Sequence, residues 1–216
     1  VIALLIPSFS VVFEIINTFI LYKQVGDGVA HLQAITTVFH GASSTTIAAY
    51  LTPAKLSQVQ DDVNAAHADF ASMSGKLDGD AAISLFSLIL PTQIHTLRAL
   101  GHLASDGTAA AQQLLQAAQT IAPSLAPALQ KGLSNPTDLS PYLTPAAFQT
   151  LGTTLAAIAP LVHNMNVDAQ GLSLDGLPIS AKQRQLFTSI LPLLPTLDAL
   201  SLIHISEPTR QADISY

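Results

Sequence analysis

The chain has 216 residues, of which 49% are hydrophobic and only 10% are charged, and its formal net charge is −6. Its 8 lysine and arginine residues are scattered, which excludes the basic patch that a nucleic-acid binder needs to neutralise phosphates. The lack of cysteine excludes disulfides, thiolate metal sites and cysteine nucleophiles.

The first predicted element is a transmembrane helix at residues 1–22. Its only formally charged side chain is Glu14, and about 20 mainly apolar residues are what a helix needs to cross a bilayer. Glu14 and Asn17 share one helix face, and a carboxylate at membrane depth would indicate a functional site. We favour the alternative that the span begins upstream of Val1, which is not an initiator methionine, so that Glu14 lies near the interface.

Residues 23–47 are predicted to form a helical stalk and a linker. Apolar residues continue at helical spacing from Val25 to Phe39, and the small polar run GASSTT at 41–46 then interrupts the pattern. The chain beyond the linker, residues 48–199, is predicted to be an extracytoplasmic helical bundle.

The helix with the clearest pattern is predicted over residues 53–76. Thr52 before Pro53 fits an N-cap followed by proline at the first helical position. Apolar residues then alternate spacings of three and four, which predicts one continuous buried face. Its members are Leu56, Val59, Val63, Ala66, Phe70, Met73 and Leu77.

Turn-forming residues divide the next part of the chain. Asp78-Gly79-Asp80 predicts a turn, and the apolar run 81–90 predicts a buried helix. Pro91 predicts either the start of a helix that continues to Leu103 or a kink in it. That helix is predicted to break at Ser105-Asp106-Gly107. Beyond the break we predict a helix over 109–121 and, over 122–141, a proline-rich broken connector with short helical pieces.

The second half of the chain repeats several sequence features of the first half. Tyr142–Ala146 repeats the pentapeptide around Pro53, and a second buried face is predicted at Phe148, Leu151, Leu155, Ile158 and Val162. A polar loop over 164–176 and an apolar helix ending at Pro192 follow. These matches predict a diverged duplication of residues 50–91 in residues 142–192.

The predicted loop superficially follows a calcium-binding EF-hand. Asn164, Asn166 and Asp168 fall at the first ligand positions, but Ala169 and Asp175 replace the glycine and the bidentate glutamate of that motif. We therefore interpret it as a solvated connector.

The histidines are predicted to be surface or half-buried side chains. Two of them have a carboxylate at helical spacing, namely His31 with Asp27 and His102 with Asp106. One histidine and one aspartate are too few ligands for a metal ion, and His95 and His102 are spaced too far apart to add to either pair. No such partner is predicted for His40, His67 or His163.

No catalytic motif is found either. Nucleophile-elbow, phosphate-loop and dinucleotide-binding patterns are missing from the sequence, and no aspartate lies in an apolar context that would clearly raise its pKa. Arg98 is expected to pair with an aspartate of a neighbouring helix. The sequence therefore predicts no catalytic, cofactor-binding or metal-ligating residue, and no cofactor.

Residues 200–216 are predicted to be an artefact. Leu200–Arg210 reads LSLIHISEPTR, which resembles the translation of a transposon-end sequencing adapter, and 211–216 read as its continuation. We exclude this tail from reasoning about the fold. His204 and Glu207 are accordingly not candidate ligands.

The order of features resembles a known family. The predicted span is followed by Gly28–Leu32 (GVAHL), Asp69-Phe70, an apolar helix ending at Pro91, Leu143–Pro145, and Gly176–Gln183 (GLPISAKQ). This order is similar to the N-terminal part of the bacterial domain of unknown function 4012 family, particularly its Chloroflexi members, over about residues 1–199. The resemblance implies a membrane-anchored, envelope-associated protein and carries over no functional residue.

The expected fold is all-α, with one N-terminal transmembrane helix and an antiparallel, coiled-coil-like bundle. The expected function is a membrane-anchored extracytoplasmic scaffold or interaction region of a bacterial envelope protein, without catalysis in this fragment. The alternatives are a ligand-sensing ectodomain of a receptor and an accessory domain of an envelope enzyme. The expected partners are the membrane, through a single span, and proteins or a second copy bound through helix faces, but not nucleic acid.

Overall fold

The computed structural model describes residues 23–35, 52–89, 91–130, 144–170 and 181–199, together with residues 172 and 174. As predicted, this part of the chain is all-α, and no strand occurs within it. The predicted span at 1–22, the linker at 41–46 and the tail at 200–216 lie outside the described residues.

Seven helical segments and one short 3-10 turn make up the described chain. In order they are α1 (23–35), α2 (Pro53–Gly79), α3 (Ala81–Ile89), α4 (Pro91–Gln130), α5 (Pro145–Ala169), α6 (Ala181–Ile190), the 3-10 turn Leu191–Leu193 and α7 (194–199). The long helix α4 packs along both α2 and α5, and these are the two most extensive contacts between the described helices.

Helix α2 confirms the predicted buried face. All seven apolar positions from Leu56 to Leu77 are buried. The helix starts after Thr52 as predicted, although the Thr52 side chain makes no capping hydrogen bond. It ends at Gly79, where Asp80 adopts an extended conformation and donates its backbone N–H to the Lys76 carbonyl at 3.0 Å.

Helix α1 packs directly against α2. Val25 and Val29 lie against the cluster that contains Phe70, and Gly28 allows the Phe70 ring to approach the α1 backbone. A Cβ at Gly28 would lie 2.8 Å from that ring, which is closer than real Cβ contacts. The helix predicted as a stalk is therefore helical where it is described, and in addition it packs against α2.

Helix α3 begins directly after the predicted turn. Ile83 is buried in the same cluster as Phe70, but Leu88 is 79% exposed. The prediction of a wholly buried helix is therefore wrong at Leu88. Helix α3 has only 9 residues, and the other helices cover one of its sides and leave the other side exposed.

Helix α4 is continuous over 40 residues, so the predicted break at Ser105-Asp106-Gly107 is wrong. A glycine inside a helix costs about 1 kcal/mol relative to alanine. Burial of Leu103, Thr108 and Ala110 around this site offsets that cost. The predicted connector over 122–141 is also wrong as far as residue 130, and the remainder lies outside the described residues.

Helix α5 begins where it was predicted to begin, and here the threonine does cap the helix. The Thr144 side chain accepts a hydrogen bond from the Ala147 backbone N–H at 3.2 Å, with Pro145 following it. The helix then runs to Ala169, so the polar loop predicted from Asn164 is wrong for residues 164–169.

The buried face of α5 differs from the predicted one. Small side chains are turned inward, namely Ala147, Thr154 and Ala159, whereas Phe148 is 56% exposed and Leu151 and Leu155 are each 37% exposed. Helical spacing identifies apolar residues that share a face, but the neighbouring helix decides which face it covers. The predicted burial of this second face is therefore wrong for Phe148, Leu151 and Leu155, while Ile158 and Val162 are half-buried.

Candidate functional site

A polar cleft lies where α2, α4 and α5 meet. Its volume is about 500 Å³. One side chain from α2, one turn of α4 and the last turns of α5 line it. The lining residues are Ser74, His102, Ser105, Asp106, His163, Asn164, Val167 and Asp168.

Two segments that resemble loops in the sequence form the walls of this cleft. Residues 105–107 were predicted to break a helix and residues 164–169 to begin a connector, yet both are helical and face each other. Gly107 on α4 lies close to Met165 on α5: a Cβ added at Gly107 would be 3.4 Å from the Met165 methyl carbon. This short distance shows that the two segments pack against each other. Polar side chains on two adjacent helices are thus brought together.

His102 connects the three helices at the rim of the cleft. Its Nε2 lies 2.8 Å from an Asp78 carboxylate oxygen, and its Nδ1 lies 3.7 Å from an Asp168 carboxylate oxygen. Asp106 is at helical spacing from His102 in the sequence, but the carboxylates that contact His102 are Asp78 and Asp168. Asp106 is one turn away on the same helix, whereas both actual partners come from other helices.

Arg98 pairs with an aspartate of a neighbouring helix, as predicted. Its Nε donates to the Leu77 carbonyl at 2.8 Å and lies 3.7 Å from an Asp78 oxygen. Asp78 therefore has two basic partners, Arg98 and His102.

Asp106 is the carboxylate with the most perturbed environment in the cleft. Burial raises the pKa of the Asp106 carboxyl, and the nearby charge of Asp168 raises this pKa further, while a hydrogen bond to Asn164 acts in the opposite direction. The prediction that no aspartate has a raised pKa is therefore wrong. The larger cause is burial between packed helices, and the second is the charge of Asp168 on α5, about sixty residues along the chain. The local sequence around Asp106 held no signal of either.

Other histidines also pair between helices. His31 Nδ1 lies 3.3 Å from Asp62 on α2, a residue that the helical spacing of His31 and Asp27 did not indicate. His163 Nδ1 lies 3.2 Å from Asp198 on α7, although no partner was predicted for it. These histidines are exposed or half-buried, as predicted.

Asp198 is the most buried of these carboxylates, with 7% of the residue exposed. It accepts a hydrogen bond from the Asn166 side chain at 2.8 Å as well as contacting His163. Asn166 was predicted to lie in a solvated loop, whereas it attaches α7 to α5.

Within the described ranges, no three histidine, aspartate or glutamate side chains are grouped so that they could hold a metal ion. His40 and Asp175 lie outside these ranges. Asn164, Asn166 and Asp168 follow one another along a helix, which does not wrap their oxygens around a single cation as an EF-hand loop does.

A second feature of the surface is an apolar stripe on α5, formed by Phe148, Leu151 and Leu155. Residues 145–162 contain no charged side chain. Among the described helices, only α5 is long and apolar enough to cross a membrane. This apolar helix lies in the middle of the chain and not at residues 1–22, where the span was predicted.

Comparisons with protein-family models, with curated proteins and with solved structures found no match. The resemblance to the domain of unknown function 4012 family therefore stays a prediction.

Proposed function

We propose that this chain is an extracytoplasmic helical scaffold of a bacterial envelope protein, anchored by the N-terminal span, and that it self-associates through the apolar stripe of α5. The observation that carries this proposal is the exposure of Phe148, Leu151 and Leu155 on a helix surface without charges. Fully burying an exposed side chain of this size is worth about 1.5–3 kcal/mol, and covering the part of each that is still exposed contributes a fraction of this amount.

A second copy of the chain is the partner that fits this stripe best. A charge-free surface offers no ion pair to a charged partner, so its partner must also be apolar. A two-fold symmetric contact brings the same stripe of two copies together and meets this requirement without another protein. The family resemblance adds the envelope location to the proposal.

Cysteine cross-linking tests the proposal directly, because the natural chain contains no cysteine. Leu151→Cys places a thiol in the stripe, and we expect it to form a disulfide-linked dimer in membranes under mild oxidation. Thr153→Cys is the matched control, since residue 153 is exposed and residues two apart on a helix point away from each other. We expect little cross-linking of this control.

Two outcomes would contradict the proposal. Equal cross-linking of both variants would indicate random collision within the membrane. Protection of Leu151→Cys from both cross-linking and water-soluble thiol reagents would indicate that α5 faces lipid, in which case the apolar stripe is not a contact between proteins.

A further inference from the structure

The polar cleft has the size of a ligand site but an unusual lining. Binding sites for small molecules typically occupy about 300–1,000 Å³ and are mostly apolar. This cleft measures about 500 Å³, and Val167 is its one apolar lining residue. The lining therefore favours a hydrophilic ligand that forms several hydrogen bonds.

The charges in the cleft favour a cation. Asp106 and Asp168 both line it, and among the described residues neither forms an ion pair with a lysine or arginine. Asp168 is approached by His102 Nδ1 at 3.7 Å, but His102 makes its shorter contact, 2.8 Å, with Asp78. The charge of Asp168 acts to raise the pKa of the Asp106 carboxyl, whereas a hydrogen bond with Asn164 and the charges of His102 and His67 act to lower it. A positive group between the two carboxylates would relieve the repulsion that is left between them.

The geometry favours an organic cation over a metal ion, because no described group of three acidic or histidine side chains is arranged as a metal site. A primary ammonium group has three N–H donors, and the cleft offers it carboxylate, hydroxyl and amide oxygens from Asp106, Ser105 and Asn164. The remaining volume leaves room for a polar body, which His163 and Ser74 can contact at the other edge.

We propose that the cleft binds a small hydrophilic organic cation whose primary ammonium group lies between Asp106 and Asp168. Ligand binding here is separate from the scaffold function, because the apolar stripe contributes no residue to the cleft. A cleft that binds this cation would give the chain the ligand-binding site that a ligand-sensing ectodomain requires.

Calorimetric titration of the full chain in detergent solution tests this proposal. The probes are ethanolamine, 1,4-diaminobutane and glucosamine, each compared with its uncharged counterpart: ethylene glycol, 1,4-butanediol and glucose. We expect saturable binding of at least one amine to a single site, and at least tenfold weaker binding of its counterpart. Failure of all three amines, or equal binding of amine and counterpart, would overturn the proposal.

Substitutions locate the site. Asp106→Asn and Asp168→Asn should each weaken binding of the amine at least tenfold, because each removes one of the two carboxylates. Asp61→Asn removes the same charge from an exposed position on α2 outside the cleft and should change the affinity less than twofold. Equal weakening by all three would indicate general charge attraction and would contradict the proposal.

A measurement on the unmodified chain covers the case in which a variant does not fold. In amide NMR spectra, the amine should shift residues 102–106 and 163–168 and leave α1 unchanged. Shifts confined to other helices would overturn the assignment. Cross-linking through Leu151→Cys should be the same with and without the amine, so that failure of the ligand site and failure of the scaffold are distinguishable.

Discussion

Asp106 acquires its properties from side chains of other helices. Its carboxyl group is half-buried beside Asp168, and burial followed by the charge of Asp168 raises its pKa above the value of 3.8 for a free side chain. The folded state therefore binds a proton at Asp106 more tightly than the unfolded state does. Ionised Asp106 destabilises the fold, and protonated Asp106 does not.

The sign of this effect predicts how stability changes with pH. Between pH 3.8 and the raised pKa of Asp106, the folded state holds more protons at this site, so its contribution to the free energy of unfolding falls as the pH rises. Asp106→Asn removes the ionisation. We expect the variant to gain stability relative to the wild type as the pH rises through this window, and the difference to disappear below about pH 3.8.

Urea unfolding followed by circular dichroism at several pH values measures the effect. Asp61→Asn serves as a control for loss of one negative charge at an exposed position. If the difference between Asp106→Asn and the wild type were constant with pH, the ionisation of Asp106 would not be coupled to folding.

At the scale of elements, α2 and α5 show that similar patterns can have opposite outcomes. Both start at a Thr-Pro pair, and both carry large apolar residues at spacings of three and four. α2 buries these residues around Phe70, whereas α5 turns Ala147, Thr154 and Ala159 inward and leaves Phe148 exposed. Small residues on the inner face let the backbones of α4 and α5 approach closely.

Truncation of one phenylalanine in each helix tests this contrast. Phe70 is 3% exposed, so Phe70→Ala should lower the free energy of unfolding by about 3–5 kcal/mol. Phe148→Ala makes the same chemical change on α5, at a side chain that is largely exposed in the monomer. It should change the stability by about 0.5 kcal/mol or less.

The comparison requires urea unfolding of both variants in detergent at a protein concentration low enough to favour the monomer. A loss at Phe148 as large as that at Phe70 would show that the α5 stripe is buried within the single chain.

At the scale of the whole molecule, α1 is held against α2 by several contacts between residues far apart in the sequence. Besides the contact of Gly28 with Phe70, Gln24 donates from its side chain to the Ser72 hydroxyl at 2.8 Å and accepts from Lys76 at 3.2 Å. His31 adds its pairing with Asp62 at the other end of α1. Helix α1 is thus attached to α2 near both of its ends.

Two glycines in α1 provide a matched test. Gly28→Ala places a Cβ against the buried ring of Phe70 and should loosen α1, whereas Gly26→Ala meets no atom within 4 Å. Helix propensity alone favours both substitutions by about 1 kcal/mol. We expect faster amide hydrogen exchange over residues 23–35 only in Gly28→Ala. Unchanged exchange in that variant would contradict the close packing of α1 on α2.

The sequence by itself determined the all-helical class, the starts of α2, α4 and α5, and the buried face of α2. These features depend on proline and threonine at helix starts and on apolar spacing within a single helix, so residues a few positions apart suffice to specify them. The histidines were also predicted to be surface or half-buried side chains, because one histidine and one aspartate are too few ligands for a metal ion.

Only the tertiary structure decided that α4 continues through Ser105-Asp106-Gly107, which face of α5 is buried, and which carboxylates pair with His102. Each of these depends on side chains from another helix, which offset the local cost of glycine and polar residues in a helix interior. The cleft also depends on contacts between helices, because its walls are two segments whose local sequences resemble loops. The two segments form a cleft only because α4 and α5 pack together, and this packing places Asp106 beside Asp168.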